Sequence, residues 1–314
     1  MNEDTQRTRK IWIDTDAGTD DAVALLMAFA ATDIEIVGIS TCGGNVPLEC
    51  VTQNVLFLRD LCENSTDVHV GAAQPLSRTL GLADFIHGKD GLGDIGLPLH
   101  GRRPTSENAT AALREAILKY QHELEIVTLG PLTNLATALL ASPDLASVIG
   151  HLFIMGGLIS GPGNVTDYSE YNIWADPEAA EVVLRTTVEI TSIGWDTTVA
   201  SGYLTIGELA DLRSIGSRKA HIAHDICQVR LDWQRSQEQD PIVTWADPTA
   251  MAVVLDPTVI LEKEKVQIHT RCLADNDPYR GYWDVETIPN SNVTHVSRID
   301  RSRFVEMIRQ AVSK

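Results

Sequence analysis

Short apolar runs alternate with longer helix-length segments along most of the chain, and that alternation predicts its elements. Ile11-Trp12-Ile13 reads as a buried strand, and residues 22–30, apolar on every side, as a buried helix. The pattern continues with a strand over 34–40, a helix over 47–61 and a short strand over 68–70. A helix over 109–120 leads to a strand over 124–129, and a helix over 132–140 leads to a strand over 152–155. A helix over 177–184 and a strand over 188–193 follow. Strands and helices in this alternation predict an α/β fold with a mostly parallel central sheet flanked by helices. Ligands in such folds bind beyond the carboxyl ends of the strands.

Two stretches, 77–107 and 159–175, are rich in Gly, Pro and polar residues and longer than most structureless connections. Loops of that length are expected to be lids or binding loops. Residues 221–239 read as a helix and a flexible loop. From 262 to 296 the pattern turns β-like around the turn Asp275-Asn276-Asp277-Pro278, and a helix over 301–312 closes the chain. With no repeats, low-complexity stretch or linker, residues 1–314 read as one domain.

The densest chemistry follows the first strand, in Asp14-Thr15-Asp16-Ala17-Gly18-Thr19-Asp20-Asp21. Four carboxylates in one strand-to-helix turn raise each other's pKa and cost several kcal/mol unless neutralised. A helix N-terminus contributes less than about 1 kcal/mol per charge. A divalent cation is the economical solution, and all-oxygen ligands point to Ca²⁺ or Mg²⁺. Asp14 and Asp16 share a strand face, and Gly18 is expected to permit the tight turn that returns Asp20 and Asp21. The bland alternative is that Asp20 caps the helix and the other aspartates are solvated, but the flanks are too apolar for that. An EF-hand is excluded by the ligand spacing, and an aspartyl nucleophile fits less well than a metal cradle. Other expected strand or helix boundaries carry polar clusters that should converge on the same pocket: Thr41-Cys42-Gly43-Gly44-Asn45, Gly130-Pro131-Leu132-Thr133-Asn134, Met155-Gly156-Gly157 and Trp245-Ala246-Asp247-Pro248.

Composition narrows the setting. The chain has 314 residues, 44% of them hydrophobic, enough for a large core. No apolar run reaches the ~20 residues of a membrane span, and Met1 to Lys10 is too polar for a signal peptide. Five cysteines without metal spacing read as reduced thiols of a cytoplasmic protein. A net charge of −18 argues against nucleic acid or an anionic membrane as partner.

The eight-residue acidic motif with Ala22 resembles the signature of inosine–uridine-type nucleoside hydrolases. Further matches follow in order: Gly44-Asn45, His87-Gly88-Lys89-Asp90-Gly91-Leu92-Gly93, Gly130-Pro131-Leu132-Thr133-Asn134, Met155-Gly156-Gly157, Gly163-Asn164, Glu170 to Ala180, and Asp247-Pro248. The resemblance spans nearly the whole chain. It implies a Rossmann-like nucleoside hydrolase fold, one Ca²⁺ and hydrolysis of ribonucleosides to ribose and a free base. By position it implies Asp16, Asp21, Asp247 and the Leu129 carbonyl as metal ligands. It also implies Asp16 as general base, and Asp20, Asn45, Met155, Asn164, Glu170, Asn172 and Asp247 as sugar-binding residues. Homodimers or homotetramers are expected.

The pattern breaks at Ala246, where many members carry a histidine proposed to protonate the leaving base. His87 is then a candidate catalytic group on the base side, and Trp245, Trp233 and Trp174 are candidates for stacking, although packing is the preferred reading of Trp174. His221, His224, Arg230 and Trp233 also fall where a side chain could reach the base, but none is matched to the family position by position. The break leaves an alternative: a nucleoside- or ribose-binding protein with little or no turnover.

Overall fold

The computed structural model describes residues 8–314; residues 1–7, most of the polar stretch Met1 to Lys10 and the first part of the expected domain, lie outside the described residues. Nine strands form one sheet: β1 (Arg9–Thr15), β2 (Ile34–Thr41), β3 (Val68–Val70), β4 (Leu124–Thr128), β5 (His151–Met155), β6 (Ile190–Ile193), and, from later in the chain, Ile260–Thr270, Trp283–Thr287 and Val293–Ile299. From β3 through β2, β1, β4, β5 and β6 to Val293–Ile299 every neighbouring pair is parallel. Ile260–Thr270 and Trp283–Thr287 add an antiparallel edge. The expected mostly parallel sheet flanked by helices is the fold observed.

Side chains alternate between two cores, as a strand buried on both faces requires. Ile11 and Ile13 of β1 enter one core with Val127 of β4 and Phe153 of β5. Trp12 enters the other with Ile126 and Ile154. The first core holds the helices Thr19–Ala30, Leu48–Leu61, Ala246–Leu255 and Arg301–Ser313. The second holds Ala109–Tyr120, Thr133–Ala141 and Pro177–Leu184. Thr19–Ala30 is buried from Thr19 to Ala28, so tertiary packing rather than intrinsic propensity holds it. Among the described residues, no helix is long and apolar enough to cross a membrane.

The long stretches have more structure than their composition suggests. Residues 77–107 contain the short helix Asp84–His87, and 159–175 end in the helix Tyr171–Ala175. Instead of a helix and a loop, residues 221–239 mostly fall in two helices, Arg218–Asp225 and Gln228–Ser236. The first has an N-cap in Ser217, whose hydroxyl accepts from the Ala220 N–H at 2.9 Å. Only residues 226 and 227 separate the pair.

Asn134 ties the sheet together at the end that matters most for chemistry. Its Nδ2 donates to Asp14 Oδ1 at 2.8 Å and to the Thr41 carbonyl at 3.1 Å, and its Oδ1 accepts from Ala72 N–H at 2.8 Å. Asn134→Ala leaves buried partners unsatisfied and is expected to cost about 1–3 kcal/mol, read as a lower urea midpoint at unchanged slope.

Candidate active site

β1 and β4 are neighbours, yet β1 continues to β2 on one side and β4 to β5 on the other. This reversal of strand order opens a crevice beyond their carboxyl ends. Asp16 enters it from β1 and Leu129 from β4, and the Leu129 N–H donates to the Asp14 carbonyl at 2.7 Å. The backbone presses closely on Asp16: a Cβ at Gly44 would lie 1.9 Å from Asp16 Oδ2. The left-handed residue of the turn is Ala17, at φ +40°, rather than the expected Gly18, whose φ of −77° suits any residue. What position 18 requires is space, since a Cβ there would lie 2.6 Å from Asn45 Nδ2 and 2.7 Å from His87 Nδ1.

Asp16 is gripped by one residue. Its Oδ2 accepts the Asn45 N–H at 2.8 Å and its Oδ1 accepts Asn45 Nδ2 at 3.0 Å. The same Nδ2 reaches Asp21 Oδ2 at 3.4 Å. Asp21 also accepts the Gly18 N–H at 2.8 Å and the Thr15 hydroxyl. Carboxylate oxygens of Asp20, Asp21 and Asp247 lie within 4.8 Å of one another, all on buried residues. Asp20 thus joins the acidic group itself, while Asp16, with both oxygens on Asn45, borders it through Asp21. Asp247 is the second residue of Ala246–Leu255 and not its cap, so its carboxylate enters the cluster from the first turn of that helix.

Burial dominates the electrostatics. It raises Asp21 to about 6, helped by the Asp20 charge, and raises Asp14 to about 6 against hydrogen bonds from Ser40 and Asn134. Asp16 and Asp247 are pushed well up, first by burial and then by neighbouring aspartates. Asp14 Oδ2 is buried without a hydrogen-bond partner. Among the described residues, the ion pair reaching these acids is His87 Nδ1 to Asp20 Oδ1 at 3.9 Å. Buried carboxylates without a cation are strongly unfavourable. A donor set of oxygens alone suits a hard divalent cation, so these residues fit a metal.

A second group lines the same crevice. Asn172 Nδ2 donates to the Leu129 carbonyl at 2.8 Å and contacts the Met155 carbonyl and Sδ, both at 3.2 Å. Glu170 caps Tyr171–Ala175: Oε1 accepts from Asn172 N–H at 3.0 Å, and Oε2 from Gly157 N–H at 2.8 Å and Ile173 N–H at 3.3 Å. Burial raises it to about 7 against those bonds. Asn164 is exposed and accepts the Tyr171 N–H at 2.8 Å. The structure therefore brings together Asp16, Asp20, Asp21, Asn45, His87 and Asp247, sets Leu129, Met155, Glu170 and Asn172 beside them, and leaves Asn164 at the loop surface.

His87 ends its short helix with Nδ1 accepting the Thr19 N–H at 3.0 Å, and the Thr19 hydroxyl lies at the same distance. Nδ1 as acceptor leaves the proton on Nε2. Burial lowers its pKa to about 4, Asp20 opposing and Arg230 adding to the effect. Of the stacking candidates, Trp245 is 1% exposed within the first core and Trp174 packs under the Arg280 guanidinium at 4.0 Å. Trp233 is half-buried and leans on the exposed Phe85, ring centroids 5.8 Å apart. His224 turns to Asp225 at 2.6 Å. Sequence reasoning left Arg230 aside, because nothing in a linear pattern shows that it donates to the Thr244 carbonyl at 2.8 Å and to the Thr244 hydroxyl. A separate cavity of about 400 Å³, lined by Thr187, Gln267, His269 and Asn292 among others, lies at the amino end of β6, away from these groups.

The profile described as inosine-uridine preferring nucleoside hydrolase matches residues 11–306. Uridine nucleosidase 1 of Arabidopsis thaliana is 36% identical over 260 residues, covering 82% of this chain and 77% of that protein. The solved structure of the plant nucleoside hydrolase PpNRh1 superposes with a TM-score of 0.90 at 28% identity, over 98% of this chain and 99% of that one. A purine-preferring ribonucleoside hydrolase from Gardnerella vaginalis gives 0.89 at 27% identity, over 97% and 98%. A profile match across nearly the whole chain, together with the uridine nucleosidase relative, places this protein in the inosine-uridine preferring nucleoside hydrolase family, as an N-ribohydrolase.

Proposed function

We propose that this chain, acting as a single domain, is a Ca²⁺-dependent ribonucleoside hydrolase that releases ribose and a free purine or pyrimidine base. The observation that carries this reading is the cluster of buried, mutually close carboxylates at the β1/β4 reversal, with which, among the described residues, no lysine or arginine forms an ion pair. Asp16, Asp21, Asp247 and the Leu129 carbonyl would hold the ion, with Asp20 adjacent to it. When bound, Ca²⁺ supplies a positive charge that lowers the pKa of a water and orients the ribose hydroxyls. Asp16 takes the proton of the attacking water, and its two bonds to Asn45 fix the direction of the carboxylate. Asp20, Asn45, Met155, Glu170, Asn172 and Asp247 hold the sugar, and contacts to its hydroxyls strengthen as charge develops at the anomeric carbon, while Asn164, at the loop surface, supports that segment by accepting the Tyr171 N–H. His87 presents Nε2–H on the base side as a hydrogen-bond donor. The free thiols support a cytoplasmic setting in nucleoside salvage, with assembly as a homodimer or homotetramer part of the same reading.

Reducing-sugar release from inosine, adenosine, guanosine, uridine and cytidine, with and without a chelator, tests the reading directly. Chelator-sensitive release is expected, together with a loss of at least about 100-fold on the 2′-deoxy counterparts, because a buried group is left unpaired. No release from any nucleoside with Ca²⁺ present would favour a binding protein instead.

Asp16→Asn should lower kcat by about 10²–10⁴-fold while ribose still binds in a calorimetric titration. Near-normal turnover would remove Asp16 as the base.

The raised pKa values set a pH signature. Asp21 goes from about 3.8 unfolded to about 6 folded, so its protonated form stabilises the metal-free fold below pH 4, and that contribution is lost as pH rises through about 6. Added Ca²⁺ must displace that proton at low pH. The Ca²⁺-induced rise in Tm is expected to be larger at pH 7.5 than at pH 5; equal shifts would show that these carboxylates do not bind it.

A further inference from the structure

Breaking an N-glycosidic bond sends its electron pair onto the base nitrogen, so the base side needs a donor or a positive charge. The sugar side of the crevice is lined by carboxylates, and His87 is neutral with Nδ1 already occupied. Arg230 is carried by Gln228–Ser236, the helix packed against Asp84–His87, and its positive charge disfavours protonation of His87. Arg230 is half-buried, and its guanidinium is anchored to a single residue. One guanidinium nitrogen donates to the Thr244 carbonyl at 2.8 Å and the other to the Thr244 hydroxyl, and the group lies 5.9 Å from the Trp195 ring. Among the described residues no carboxylate pairs with it, so its charge is held in place without being neutralised. Thr244 is three residues ahead of Asp247, which fixes the guanidinium relative to the carboxylate cluster. The helix that carries it, Gln228–Ser236, lies against Asp84–His87 through Trp233 and Phe85.

We infer that Arg230 is the group that receives the charge of the departing base, its guanidinium donating to a carbonyl oxygen or ring nitrogen on the base edge. This rests on the N-ribohydrolase reading and extends it. The C1′–N bond breaks with its pair going to the base nitrogen, and the guanidinium, which stays protonated, stabilises the resulting anion. The anion then takes a proton from solvent. The water that adds to C1′ leaves its hydroxyl there and gives its proton to Asp16, which returns it to solvent, so the sum is nucleoside plus water giving ribose plus neutral base. Arg230 would thereby meet the demand that Ala246 cannot. If it were instead only a clip between its helix and Thr244, its loss would not depend on what leaves.

The test compares two leaving groups on the Ca²⁺-loaded full chain. Uridine and inosine expel a poor leaving group, whereas p-nitrophenyl β-D-ribofuranoside expels a phenolate that needs no help. Arg230→Ala is expected to lose about 10²–10³-fold in kcat on the nucleosides and to stay near wild type on the nitrophenyl riboside. Turnover of the nitrophenyl riboside also shows that the variant is folded. Arg230→Gln, which can still bond to Thr244, should behave like Arg230→Ala, while Arg230→Lys should recover part of the loss because the charge remains. Parallel losses on both substrates, or no loss on either, would overturn the assignment. A wild-type protein that cleaves neither substrate would overturn the N-ribohydrolase reading and this inference with it.

Discussion

Everything in this structure depends on keeping several carboxylates dry at the end of β1. Two helices buried nearly all round, Thr19–Ala30 and Ala246–Leu255, pack against each other and bring the acids of their first turns together. The apolar residues that stabilise those helices are the reason the aspartates have no water to retreat into. Burial of the seven apolar residues from Ala22 to Ala28, at roughly 1.5–3 kcal/mol per large side chain, offsets the electrostatic penalty of the acids in the same helix. The residual penalty is what a bound cation would relieve. Fold stability and metal affinity are therefore two sides of one balance, coupled through the protonation of the same oxygens.

The crevice is polarised in the direction of the reaction. On the proposed reading, positive charge grows on the sugar and negative charge on the base: the carboxylates line the sugar side, the neutral His87 imidazole borders them at 3.9 Å from Asp20, and the Arg230 guanidinium would serve the base. Such preorganised charge costs no rearrangement when the bond breaks. The imidazole fits this arrangement because Thr19, at the start of the acidic helix, fixes its tautomer through a backbone N–H.

The strand and helix alternation was legible because a doubly covered parallel sheet writes each strand as an apolar run and each crossover as a helix-length segment. The acidic turn after β1 was likewise legible as a crowded carboxylate cluster because it falls immediately after an apolar strand, whereas the Leu129 carbonyl came in only through the family resemblance. What stayed hidden was set by tertiary contact. Glycine at 18 looks like a turn residue, yet Ala17 takes the left-handed conformation and Gly18 only makes room for Asn45 and His87, which are distant in sequence. Asp16 and Asp20 both sit in the acidic motif, but which of them crowds Asp21 and Asp247 is decided by Asn45, which takes up both Asp16 oxygens. Two adjoining helices replace an expected helix and loop because the Ser217 cap lies upstream of the segment that composition marks as polar.

The segment around Glu170 and Asn172, proposed to face the sugar, shows how a polar loop becomes rigid. Glu170 spends its carboxylate on three backbone N–H groups, which joins the end of β5 to Tyr171–Ala175 and orients Asn172 toward Leu129 and Met155. The turn after Ile260–Thr270 reinforces it from outside. Arg280 lies over Trp174, donates to the Ala175 carbonyl at 3.2 Å, and accepts the Ser169 hydroxyl through its own carbonyl. Tyr279 stacks on Tyr168 with centroids 4.1 Å apart. Residues 168–175 are thus held by caps, stacking and a cation rather than by a regular strand or long helix. A site held this way meets its substrate with little ordering left to do, so the free energy of sugar contacts is available to the transition state instead of to loop closure.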